Sequence, residues 1–183
     1  MSVVAFVSSP RKGGNTDRLV AEILAGATAA GHRTEKVYLS DYALTPIDPV
    51  YGEDINWTDP RQGPADELIE KIVQSDVTVL GSPVYWFSIS GLLKLFIDRW
   101  SLYQRQGQRL MDLTVGKRIA VALAMADPYP DYLEIVLAPL RQAADWLDIE
   151  WAGEVAATGV SDPGDIEKYP DVLAEAHRLG QSL

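Results

Sequence analysis

The run Val3-Val4-Ala5-Phe6-Val7 is apolar at every position, then breaks off into Ser8-Ser9-Pro10-Arg11-Lys12-Gly13-Gly14-Asn15-Thr16. A strand with one wet face alternates apolar and polar residues. A strand with no such alternation is covered on both faces, the condition of a parallel sheet between helices. The same character returns at Val77-Thr78-Val79-Leu80-Gly81. Further strands are expected over Arg33 to Leu39, whose alternation suits a place nearer an edge, over Arg118 to about Met125, and over about Trp151 to Ala157.

Between these runs the apolar period changes to that of a helix. Leu19, Val20, Ile23, Leu24 and Ala27 share one helical face, as do Leu68, Ile69, Ile72 and Val73. Ile89, Leu92, Leu93, Phe96, Ile97 and Trp100 form a third stripe, and Leu133, Val136, Leu137, Leu140, Ala144 and Leu147 a fourth. A fifth helix is expected from Ile166 to Leu179. Strand and helix thus alternate, which predicts an α/β sandwich of three layers around one parallel sheet. With 183 residues, no internal repeat and no low-complexity segment, residues 1–183 are expected to form a single domain. The order 2-1-3-4-5 is one common winding for five such strands, and it opens a ligand crevice at the carboxyl ends of strands 1 and 3. The pattern alone does not choose it.

Composition narrows the partners. The formal charge is −10, from 16 Lys and Arg against 26 Asp and Glu. A field of that sign opposes nucleic acid and anionic lipid, so neither is expected as a partner. There is no cysteine, which removes disulfides, thiolate catalysis and cysteine-held metal clusters. His32 and His177 lie far apart, so no metal site is expected from them. No basic segment followed by a long apolar one opens the chain, and no apolar run reaches spanning length. A cytoplasmic protein is expected.

Against this acidic background the loop after the first strand stands out. Ser8 and Ser9 offer hydroxyls, Pro10 stiffens the turn, and Gly13 and Gly14 permit close backbone approach. Asn15 or Thr16 is expected to cap a helix beginning near Asp17. The unpaired amides and positive dipole end of that helix make an anion site. Neither G-x-x-x-x-G-K-[ST] nor G-x-G-x-x-G occurs here, which disfavours a P-loop phosphotransferase and a dinucleotide fold entered at this turn. A second loop follows strand 3: Ser82-Pro83-Val84-Tyr85-Trp86-Phe87-Ser88-Ile89-Ser90-Gly91. Three consecutive aromatics cannot all face one core, so some line a pocket or a partner surface. Ser88 or Ser90 is placed to cap the next helix. Asp98 and Arg99 read as a surface or interface ion pair rather than a catalytic dyad.

The two motifs together, "SSPRKGGNT" and "GSPVYWFSISGLLKLFIDR", resemble the NADPH-dependent FMN reductases and iron–sulfur flavoproteins of the flavodoxin-like group. The resemblance implies the flavodoxin-like order 2-1-3-4-5. It implies FMN as cofactor and NADPH or NADH as electron donor. It places Ser9, Arg11, Asn15 and Thr16 around the FMN phosphate, with backbone from Lys12, Gly13 and Gly14. Pro83, Val84, Tyr85, Trp86 and Phe87 would border the ribityl chain and the isoalloxazine ring, and Ala126 and Asp127 would belong to a third wall. Iron–sulfur members carry a cysteine cluster in the segment matching residues 41–64, where this chain has none.

The expected reaction runs from NAD(P)H through the flavin to a small acceptor such as a quinone or free flavin, with no catalytic side chain required. A flavodoxin-type electron carrier and a flavin-binding module without turnover remain alternatives. Trp57, Trp86, Trp100 and Tyr103 exceed what one core of this size readily hides, so a homodimer or higher homo-oligomer with the flavin near its interface is expected.

Overall fold

The computed structural model describes residues 1–47, 64–101 and 110–183. In chain order its elements are β1 (Ser2–Val7), α1 (Asn15–Ala29), β2 (Arg33–Tyr38), α2 (Pro64–Gln74), β3 (Val77–Tyr85), β4 (Ser88–Ile89), α3 (Gly91–Trp100), α4 (Leu110–Leu113), β5 (Arg118–Ala124), α5 (Leu133–Trp146), β6 (Glu150–Ala157) and α6 (Pro170–Ser182). The five long strands are parallel neighbours in the order β2-β1-β3-β5-β6. This is the expected 2-1-3-4-5 winding. It carries one addition, the short β4, which pairs antiparallel with the far end of β3.

Side-chain alternation along β1 explains the three layers. Val4 and Phe6 face a large-residue core with Leu68, Ile69 and Ile72 of α2, Leu93, Phe96 and Trp100 of α3, and Val136, Leu137 and Leu140 of α5. Val3, Ala5 and Val7 face the other way, toward Leu19, Val20 and Ile23 of α1 and Ala176 of α6. That second face is rich in alanine: Ala5, Ala120, Ala122, Ala124 and Ala157 all lie on it. Small side chains there let α1 and α6 come close to the sheet. The two helices also come close to each other, because a Cβ on Gly26 would overlap the carbonyl of His177 and one on Gly180 the carbonyl of Ile23.

Three expectations are adjusted. The helix expected from Ile166 is split, with a 3₁₀ turn at Asp165–Lys168 and α6 starting only at Pro170. Proline disfavours helical backbone in the residue before it, and Tyr169 accordingly sits at φ −119° and ψ 64°. Trp100 is 7% exposed and meets Phe96 edge-on at 5.8 Å, so it belongs to the core and leaves the interface argument. Trp57 and Tyr103 lie outside the described residues. Asp98 and Arg99 do not pair: Asp98 bonds Lys94 one turn back, while Arg99 donates to the carbonyl and hydroxyl of Thr45 at 2.8 Å.

The α1–α6 approach is open to test. Gly180→Ala should cost about 1–3 kcal/mol through overpacking. Urea and thermal unfolding should show it, with a fall in Tm of about 2–4 °C per kcal/mol.

Candidate functional site

β1 and β3 are adjacent, and their carboxyl ends are joined by a buried hydroxyl network. The Ser8 amide and hydroxyl both donate to the Gly81 carbonyl, at 2.8 and 2.9 Å. The Ser90 hydroxyl lies 2.8 Å from that of Ser8 and accepts the Leu93 amide at 3.2 Å. It is therefore the cap of α3. The Ser90 amide in turn donates to the Ser82 hydroxyl at 2.9 Å. These three serines have 0–3% of their surface exposed. They tie the start of the first loop to the root of the second. Gly81 is required at the crossing, since a Cβ there would overlap the Val20 side chain of α1.

The first loop folds back on itself. Gly14 donates to the Arg11 carbonyl at 3.1 Å, and the Arg11 amide donates to the Ser9 hydroxyl at 3.2 Å. Gly13 adopts φ +76°, the left-handed region that glycine enters without steric cost. Helix α1 begins at Asn15, with Gly14 in the N-cap position and no side chain capping it. Neither Asn15 nor Thr16 is the cap, contrary to expectation. Asn15 instead bridges to the loop after β6, donating to the Asp162 carbonyl at 2.9 Å and accepting the Ile166 amide at 3.2 Å. The Arg11 guanidinium reaches the same loop, at the Ser161 carbonyl, 3.3 Å away.

Two carboxylates set the electrostatics of this end. Asp17, in the first turn of α1, is buried beneath the loop. Burial pushes its carboxyl up, but hydrogen bonds from Lys36, the Gly13 amide and Tyr38 outweigh that and hold it below the ordinary value. Asp165 accepts from Lys168 and from the amides of Asp162 and Ser161, which together lower its carboxyl to about 2. It thereby fixes the loop against which Arg11 and Asn15 lean.

The second loop is a hairpin tip. β3 runs past the end of the sheet to Tyr85, which pairs with Ser88, leaving Trp86 and Phe87 as the two turn residues. Both have positive φ, +50° and +60°. Such turns favour Asn-Gly, so an aromatic pair stores strain of about 1–3 kcal/mol per residue. Trp86 is 94% exposed, with Tyr85 and Phe87 at 49% each. Phe87 packs edge-on against Tyr132 at 5.0 Å, and Tyr132 meets Tyr129 at 6.3 Å. Pro83 and Val84 lead into the tip, Pro83 buried in the sheet beside Ala124. The loop after β5 stands alongside: Ala126 is exposed, and the half-buried Asp127 accepts the Tyr129 amide at 2.9 Å. It is braced from beneath by the loop after β6, through Val160 to the Met125 carbonyl and Gly159 to that of Asp127.

The site therefore has a cationic, amide-bearing end and an aromatic end. Among the described residues no group of His, Cys, Asp and Glu could hold a metal. Sequence reasoning missed Asp17, the Ser8–Ser90 link, the loop after β6, and the Tyr129–Tyr132 pair. An acidic residue at the third position of a helix, as in a capping box, is the signal that could have found Asp17. The loop after β6 leaves no local signal, because its contacts span the whole chain.

Comparison with known proteins agrees with this fold. Residues 1–128 match the family described as NADPH-dependent FMN reductase. YwqN of Bacillus subtilis, provisionally named an NAD(P)H-dependent FMN-containing oxidoreductase, is 31% identical over 98% of this chain and 96% of its own. An FMN-dependent NADH:quinone oxidoreductase of Xanthomonas euvesicatoria is 29% identical over 88% of this chain and 86% of its own. Among solved structures, the Trp repressor binding protein of Bacillus subtilis superposes with a TM-score of 0.74 at 27% identity, covering 98% of this chain and 97% of that one. On the family match and the YwqN likeness together, this chain belongs to the NADPH-dependent FMN reductase family.

Proposed function

We propose that this chain is an FMN-dependent NAD(P)H oxidoreductase, taking electrons from NADPH or NADH and passing them to a small planar acceptor such as a quinone or free flavin. One observation carries the reading: an uncapped helix N-terminus behind a cationic glycine loop stands beside an aromatic hairpin, both at the carboxyl ends of adjacent strands. FMN has the same polarity, a phosphate at one end and a flat ring at the other. The fit rests on the first turn of α1, whose amides no side chain caps, and on the Arg11 guanidinium nearby.

Ser9, Arg11 and Thr16, with the first-turn amides of α1, would hold the phosphate. Lys12, Gly13 and Gly14 shape the loop around it, and Asn15 locks that loop to residues 158–166. Pro83 and Val84 would flank the ribityl chain, with Tyr85, Trp86 and Phe87 offering aromatic surface to the ring and Ala126 and Asp127 closing the third side. When bound, FMN supplies the redox chemistry, accepting a hydride from NAD(P)H and releasing two electrons to the acceptor. The protein would position the phosphate and wall the ring. It needs no nucleophile or general base for that work. A cytoplasmic homodimer is part of the proposal, and the exposed Trp86, Tyr85, Phe87 and Tyr129 support an interface at this end.

Mixing the FMN-loaded protein with NADPH and with NADH, without oxygen, should bleach the flavin absorbance with at least one donor, and a quinone should then restore it. A flavin that stays oxidised with both donors would overturn the reductase reading and leave the carrier and the flavin-binding module without turnover. Arg11→Ala should weaken FMN binding about ten- to a hundredfold, the loss of one charge-assisted bond. Riboflavin, which has no phosphate, should bind wild type and variant alike in the same fluorescence titration.

A further inference from the structure

Asp17 is more enclosed than a helix N-terminus requires. Its side chain is 5% exposed and sits between α1, the first loop and β2. One carboxylate oxygen accepts the Gly13 amide at 2.6 Å and the Tyr38 hydroxyl at 2.9 Å. The other accepts the Lys36 ammonium at 2.7 Å. Lys36 and Tyr38 are two apart on β2 and so share the face turned to α1. Their positions are fixed by the β1–β2 register, Ala5 opposite Lys36 and Val7 opposite Tyr38. The loop is held from a second side by Lys12, whose ammonium pairs with Asp41 at 2.7 Å and stands 4.6 Å from the centre of the Tyr38 ring.

From this arrangement we infer that Asp17 is a positioning residue for the anion loop, with Lys36 and Tyr38 of the edge strand as its supports. It touches neither cofactor nor substrate in this role. It fastens the Gly13 amide, and with it the left-handed turn that lets Gly14 fold back onto the Arg11 carbonyl and leaves the first amides of α1 without a side-chain acceptor. Lys36 matters for a second reason. A bare carboxylate at this place would repel an incoming phosphate, and the ammonium compensates it, so the clasp orients the loop at little electrostatic cost.

Two effects of opposite sign follow, and one substitution separates them. If Asp17 acted only through its charge, Asp17→Asn would tighten the binding of an anion, because a negative group disappears and Lys36 is released. If it positions the loop, Asp17→Asn weakens phosphate binding, because the turn loses its anchor. The inference rests on the FMN reading above, so the test is built to tell the two apart.

FMN and riboflavin are titrated separately into the flavin-free full-length wild type, Asp17→Asn and Tyr38→Phe. The expected result is that Asp17→Asn raises the FMN dissociation constant about tenfold or more, with riboflavin unchanged. Tyr38→Phe, which removes only one donor, should give a smaller change in the same direction, and it keeps the test alive should the asparagine variant fold poorly. Amide exchange at Gly13 should quicken in both variants. A wild type that prefers FMN, with variants that keep or increase the preference, overturns the positioning role alone. A wild type without preference for FMN over riboflavin overturns the phosphate-site reading, and this inference with it.

Discussion

The hydrogen bonds that Ser8 gives to the Gly81 carbonyl are where this protein stops being a sheet and becomes a site. Up to that point β1 and β3 are ordinary parallel neighbours, buried on both faces. Beyond it the chains diverge, one into the glycine loop and α1, the other into the aromatic hairpin. The serine network sets how far apart they go. It also brings the N-terminus of α3 into the same junction, since Ser90 is at once the cap of that helix and the partner of Ser8. Buried hydroxyls are worth little as net stabilisers when satisfied and are costly when orphaned, so such a network specifies geometry more than it adds stability.

Stability is then given up at the hairpin tip. Two aromatic residues stand in a turn conformation that suits Asn-Gly, and one of them is almost wholly in water. Neither burial nor propensity accounts for Trp86 there. Phe87 recovers something by packing on Tyr132, and the pairing of Tyr85 with Ser88 holds the turn shut. Strain of this kind persists where the surrounding structure over-determines it, and it gathers at binding sites. The rest of the fold carries the cost through the large-residue core beneath, in which Phe6 meets Phe96 at a tilt and Phe96 meets Trp100 edge-on.

What could be read in advance follows from how local each signal is. The unbroken apolar runs of β1 and β3 announce a sheet covered on both faces, and the glycine-bearing and aromatic segments announce loops with a purpose. Each of these is written in fewer than about ten neighbouring residues. The element ends were less legible: Pro170 stops the helix pattern of Ile166, and the extension of β3 to Tyr85 depends on finding Ser88 across the turn. The role of Asn15 was the least legible. An asparagine before a helix reads as a cap, yet its amide is spent on Asp162 and Ile166, almost the whole chain away.

Those long-range ties bear on how an acidic protein holds an anion at all. With a formal charge of −10, the cations of the first loop and of the neighbouring β2 would be expected to do most of the work. They are largely committed instead: Lys12 to Asp41, Lys36 to Asp17, and Arg11 leaning on a backbone carbonyl. Only Arg11 has a neutral partner and can turn toward a ligand without breaking an ion pair. The remaining attraction comes from the first-turn amides of α1, whose direction is set by backbone geometry and barely screened by salt when buried. With the phosphate site proposed here, retention of an anion would depend chiefly on the shape of the loop, and the residues that fix that shape, Asp17 from below and Asn15 and Asp165 from the side, would weigh as much as those that touch the ligand.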